Sequence, residues 1–116
     1  LAAALNERNR RRRVEYDRAL RKRITAAQEE VDRLVQSFLQ QDSTLRRVVL
    51  FGSLARDEVK RLDFDIDMAV DTDQYSELLD LALDSQFKVD LIDLRSASAY
   101  IRRSVEHDGM EVYRGE

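Results

Sequence analysis

The stretch VVLFGSLARDEVKRLDFDIDMAV, residues 48–70, carries two different strand signals joined by a short polar segment. Val48-Val49-Leu50-Phe51 is a brief, continuous apolar run rich in β-branched residues, and it stops at Gly52-Ser53 as a buried strand does. Phe64-Asp65-Ile66-Asp67-Met68-Ala69-Val70 alternates at period two instead. That parity puts Phe64, Ile66, Met68 and Val70 on a core face and leaves Asp63, Asp65, Asp67 and Ala69 on the other. Between the two runs, Leu54 to Val59 is expected to start a helix directly after a glycine and a small hydroxyl residue.

Working outward, Tyr75 to Leu83 predicts a helix with Leu78, Leu79 and Leu81 to Leu83 turned inward, and Phe87 to Ile92 predicts a third strand. Ser98 to Glu106 reads as a further helix ended near Gly109, and Met110 to Tyr113 as an extended edge segment. Upstream, the chain has no glycine before residue 52 and no proline anywhere, so nothing punctuates the stretch from about Ala4 to Gln41. It predicts helix. Ile24, Val31, Val35, Phe38 and Leu39 recur at helical spacing, so only the second part of that stretch has an apolar stripe to bury. Thr25 and Gln28 have capping-box spacing, which leaves one long helix and two joined helices both open. A single helix would exceed about 50 Å and leave its basic end free of the domain.

Strands alternating with helices behind a long N-terminal helix give an α/β (α+β) expectation: a small mixed sheet flanked by helices. Residues 1–41 form the basic helix, or two helices, packed in part on the core, and residues 42–116 form the core itself. The length of 116 residues suits one domain. Hydrophobic residues at 43% and charged residues at 37% allow a buried core together with high solubility. With no cysteine and one histidine, disulfides, thiolate metal sites, cysteine nucleophiles and histidine-rich metal sites are excluded. Any metal must be held by carboxylates. No apolar run is long enough for a membrane span, and Leu1 to Leu5 is too short for a signal peptide, so a cytoplasmic protein is expected.

The net charge of −3 conceals an asymmetry, with +5 on residues 1–47 and −8 on the remainder. The basic excess lies in Arg8, Arg10 to Arg13, Arg18, Arg21, Lys22 and Arg23. No aromatic or glycine interleaving accompanies it, so a solvated helix face is favoured over a direct nucleic-acid platform. In the acidic half, unpaired like charges on one strand face repel one another and call for an offset. A solvated edge strand would screen them; a divalent cation such as Mg²⁺ would draw them together through hard oxygen ligands. Asp90, placed by the sequence among apolar strand neighbours, supplies a third carboxylate that is costly to bury unpaired.

The stretch quoted above, followed by FKVDLIDL at residues 87–94, resembles the minimal nucleotidyltransferases of the DNA polymerase β-like superfamily. The shared pattern is Gly-Ser, then Asp-x-Asp, then a third Asp, and it covers Val48 to about Asp93; the closing IRRSVEHDGMEVYRG also looks like the end of these short proteins. The resemblance implies that Gly52 and Ser53 hold a nucleotide's phosphates, with Arg56 near them or paired to a carboxylate. It implies that Asp65, Asp67 and Asp90 are both the catalytic residues and the ligands of two Mg²⁺ ions, with ATP as the nucleotide. Asp65 and Asp67 are preferred to Asp63 and Asp65 because Met68-Ala69-Val70 follows as an apolar strand end. Asp63 is then a solvated loop residue or an outer partner.

Two departures stand out. Asp57 occupies a place where these proteins commonly have glycine, and the interval from Gly-Ser to Asp-x-Asp is one residue longer than usual. Members of this group are commonly antitoxins that inactivate a helical HEPN-type ribonuclease toxin by adenylylating it. The resemblance therefore implies a Mg²⁺-dependent transfer of AMP to a hydroxyl of a protein partner, with a degenerate module that neutralises its partner by occlusion as the alternative. Lys88 is expected to be a solvated strand residue, although its parity with Asp90 would allow it a place near the phosphates, and His107 is expected as a surface or capping group.

Overall fold

A computed structural model describes all 116 residues. The chain runs α1 (Ala2–Gln41), β1 (Arg47–Phe51), α2 (Gly52–Ala55), β2 (Ile66–Asp71), α3 (Tyr75–Leu83), β3 (Val89–Asp93), α4 (Ala99–Asp108) and β4 (Met110–Arg114). The four strands make one mixed sheet in the order β3-β2-β1-β4. β1 is antiparallel to both β2 and β4, whereas β2 and β3 are parallel and connected through α3. Helices flank the sheet as the alternating pattern implied.

Each face of the sheet buries a different set of residues. On one face Val48, Leu50, Ile66, Met68, Val70, Val89 and Leu91 pack with Leu78 and Ala82 of α3 and with the second half of α1. On the other, Val49 and Ala69 meet Val105 of α4. The two-sided burial of β1 is why Val48 to Phe51 are all apolar, and the period-two sequence of β2 follows from a second face that turns acidic at one end.

α1 is one uninterrupted helix of 40 residues, which settles the choice left open at Thr25 and Gln28. Its buried residues are Ala27, Val31, Leu34, Val35 and Phe38, so the apolar stripe occupies the second half and the first half is exposed. The molecule is 63 Å long against 28 and 21 Å across, because that first half runs past the sheet. α1 stops at Asp42, a carboxylate only 1% exposed. Its Oδ1 accepts from the Thr44 amide at 2.9 Å and the Thr44 hydroxyl at 2.7 Å, and its Oδ2 accepts from the Thr72 hydroxyl at 2.5 Å. These bonds hold the carboxyl below its ordinary range despite burial and tie the end of α1 to the end of β2.

Several boundaries differ from the expectation. β2 begins at Ile66, so Asp63, Phe64 and Asp65 belong to the approach to the strand. β3 begins at Val89 and excludes Phe87 and Lys88. The helix expected after Gly52-Ser53 lasts only to Ala55, and residues 58–65 form neither helix nor strand. In α3, Leu78 and Ala82 are buried while Leu83, read as inward, is 69% exposed, because it falls on the far side of the helix. β4 pairs with β1 as an edge strand with a register shift at Val48/Val49.

Candidate active site

Strand register assembles the site. The antiparallel pair sets Phe51 opposite Asp67, and the parallel pair sets Asp67 opposite Asp90. The end of β1 and the starts of β2 and β3 therefore meet at one edge of the face that carries Val49 and Ala69. Gly52 follows β1 at φ +77, and a Cβ there would overlap the Asp67 carboxylate. Only glycine combines that backbone with that approach.

Asp67 is half-buried and carries the strongest electrostatic signature of the site. Its carboxyl is pushed up to about 6, first by burial, then by the charges of Asp90 and Asp65 and a hydrogen bond with Asp90, with Arg56 pulling the other way. The acidic charge is thus incompletely offset by the protein. Asp65, just before β2, lies with Oδ2 3.5 Å from Lys88 Nζ. Asp90 is exposed, contrary to the burial argued from its apolar neighbours, since β3 is an outer strand and turns alternate residues to solvent. The desolvated member of the group is Asp67.

Ser53, the second residue of α2, lines a cavity of about 360 Å³ with Glu58, Lys60, Arg61, Asp63 and Phe64, and the site aspartates Asp65, Asp67 and Asp90 do not line it. Arg56 donates to Glu58 Oε2 at 2.9 Å, lies 3.8 Å from Asp108 Oδ2 and still acts on Asp67. Asp63 is tied to Arg61 in an exposed pair. His107 is exposed beside Asp108. Glu58, Asp108 and the Lys88–Asp65 pair had no signal in the sequence, because each depends on how α4 and the loop before β2 come to the sheet.

Asp57 adopts φ +57, the left-handed region that glycine enters without strain. This is the position at which the resemblance led to the expectation of glycine, and aspartate tolerates the conformation better than most residues. In chemistry, the donor set suits a hard divalent cation: neighbouring carboxylates with surplus negative charge and no soft ligand. No three acidic or histidine side chains enclose a common point in this structure, Asp65 being drawn toward Lys88.

Comparison with known proteins bears on the same region. Residues 34–116 match the family described as polymerase beta, nucleotidyltransferase. No curated protein matches the chain. Among solved structures, a toxin–antitoxin complex with AMP-PNP contains a chain 30% identical with a TM-score of 0.58, the match covering 72% of this chain and 73% of that one. A mutant of the toxin–antitoxin MntA-HpeT with two Asp-to-Glu substitutions gives 28% identity, a TM-score of 0.56 and coverage of 76% and 73%. A complex of a tri-AMPylated Shewanella oneidensis HEPN toxin with its MNT antitoxin gives 27% identity, a TM-score of 0.54 and coverage of 79% and 73%. All three of these solved neighbours are toxin–antitoxin complexes, and the last is of an MNT antitoxin with a HEPN toxin. Since the family match runs through all four strands, the Gly52-Ser53 turn and every carboxylate of the site, the chain belongs to the polymerase beta nucleotidyltransferase family.

Proposed function

We propose that this protein is a Mg²⁺-dependent nucleotidyltransferase that moves AMP from ATP onto a hydroxyl of a protein partner, acting as the antitoxin to a HEPN-type toxin. The observation that carries this reading is the Asp67–Asp90 pair set by strand register beside Gly52, with a carboxylate whose charge the protein leaves partly unbalanced. The AMP-PNP complex and the AMPylated toxin among the solved neighbours support the nucleotide and the acceptor class.

Asp65, Asp67 and Asp90 would hold Mg²⁺, which when bound supplies charge neutralisation on the phosphates and acidifies the attacking hydroxyl. Gly52 and Ser53 bind the phosphate chain from the end of β1, and Arg56 exchanges Glu58 for phosphate oxygen. The acceptor oxygen bonds to the α-phosphorus, the bond from that phosphorus to the bridging oxygen breaks, and pyrophosphate leaves; the hydroxyl proton passes to Asp90, the exposed carboxylate.

A second reading, a module that neutralises its partner by occlusion alone, is favoured by the open arrangement in which Asp65 is held by Lys88. Calorimetric titration with ATP and the other nucleoside triphosphates, with and without Mg²⁺, separates the two. Mg²⁺-dependent ATP binding that weakens at least about tenfold in Asp65→Asn/Asp67→Asn is expected. Absence of binding by the folded protein would overturn the transferase reading and leave occlusion.

A further inference from the structure

The first 33 residues lie outside the segment that matches the family, yet two of them reach the approach to the carboxylates. Tyr16 donates its hydroxyl hydrogen to the Lys60 carbonyl at 3.1 Å, across 44 positions of sequence. Seven residues on, two turns along the same face of α1, the Arg23 guanidinium lies 4.0 Å over the centre of the Phe87 ring. That ring tilts against Phe64 at 46° with centroids 6.3 Å apart. Phe64 immediately precedes Asp65, and Phe87 immediately precedes Lys88, the partner of Asp65.

The segment so contacted does little to fix itself. From Val59 to Asp65 no backbone amide donates to a backbone carbonyl, and its side-chain pair, Arg61 with Asp63, is exposed. Exposed pairs restrain weakly. The same segment, with Ser53, walls the cavity beside the Gly52-Ser53 turn. Contacts from outside the loop therefore decide where it stands.

We propose that the stretch of α1 from Tyr16 to Arg23 is a brace for the site: Tyr16 and Arg23 are positioning residues that set the loop from Lys60 to Asp65 and, through it, the affinity for a Mg²⁺-nucleoside triphosphate. The link to nucleotide rests on the transferase reading above; the brace itself does not. The experiment uses the full chain and compares wild type, Tyr16→Phe/Arg23→Gln and, as a control that removes one charge from α1 away from the loop, Arg12→Gln. Backbone ¹⁵N relaxation of residues 59–65 and calorimetric titration with ATP and Mg²⁺ are measured for each, with thermal unfolding to monitor the fold.

In the double variant the order parameters of residues 59–65 should fall from about 0.85 toward about 0.6 while those of β1, β2 and β3 hold, and ATP binding should weaken about three- to tenfold at an unchanged unfolding midpoint. Arg12→Gln should move neither. Unchanged loop order parameters in the double variant overturn the brace, whether or not ATP binds. Lowered order parameters with unchanged ATP affinity overturn its connection to the site, and equal weakening by Arg12→Gln overturns it in favour of charge alone. If wild type binds no ATP, the transferase reading fails and the order parameters alone decide the brace.

Discussion

Replacing Gly52 by alanine should be among the most damaging single-methyl changes in this protein, for two separable reasons. The backbone sits at φ +77, where an L side chain is strained by about 1–2 kcal/mol. The added Cβ also overlaps the Asp67 carboxylate and crowds its Cγ and Cβ, so the strand residue must move; overpacking of this kind costs about 1–3 kcal/mol. Together they amount to about 2–5 kcal/mol, a large share of the stability of a small domain. Urea unfolding followed by far-ultraviolet circular dichroism, in EDTA, measures the sum, and a double-mutant cycle with Asp67→Ala divides it. Truncating Asp67 removes the overlapped carboxylate, so the Gly52→Ala penalty should drop to the backbone share of about 1–2 kcal/mol. An identical penalty in both backgrounds would refute the steric argument. A penalty below about 0.5 kcal/mol in wild type would refute the backbone argument as well.

Asp57→Gly should stabilise the protein by about 0.5–1 kcal/mol by relieving the left-handed backbone, seen as a raised thermal midpoint; an unchanged or lowered midpoint would count against strain at that position. The Asp67 carboxyl, pushed up to about 6 in the folded state, makes a prediction about pH. A raised carboxyl pKa means that the folded state holds the proton more tightly, so this contribution is full in acid and is lost as pH rises through about 6. The stability of wild type relative to Asp67→Asn should therefore fall between about pH 4 and pH 7 and then level off. A flat or rising difference in metal-free unfolding curves would show that burial and Asp90 do not act on Asp67 as described.

Much of the fold was legible locally. The apolar run before Gly52, the alternation from Ile66 to Val70 and the apolar stripe in the second part of α1 reflect burial on two faces, mainly on one face and on one stripe, and each leaves its own period in the sequence. The continuity of α1 across Thr25 was not legible, because a threonine and a glutamine three positions apart are equally compatible with a cap and with a helix interior. At the site, the Gly-Ser turn and the aspartate spacing were readable as a pattern, whereas the burial of each aspartate was not. Parity made Asp65 and Asp67 look equivalent, yet one stands in a loop beside Lys88 and the other is wedged against Gly52. Asp90 looked enclosed from its neighbours in sequence and is open because β3 is the outer strand.

By itself the sequence determined the kinds of elements, their order, the acidic character of one sheet face and the absence of thiolate or multi-histidine chemistry. These depend on local periodicity and on which residue types are present. Only the tertiary structure decided that Asp67 faces Asp90 across the β2–β3 ladder, that Asp57 stands in the left-handed region, and that Tyr16 meets Lys60. Strand register, helix placement and loop path are set by long-range packing, which joins residues far apart in the chain and so leaves no period for a sequence to display.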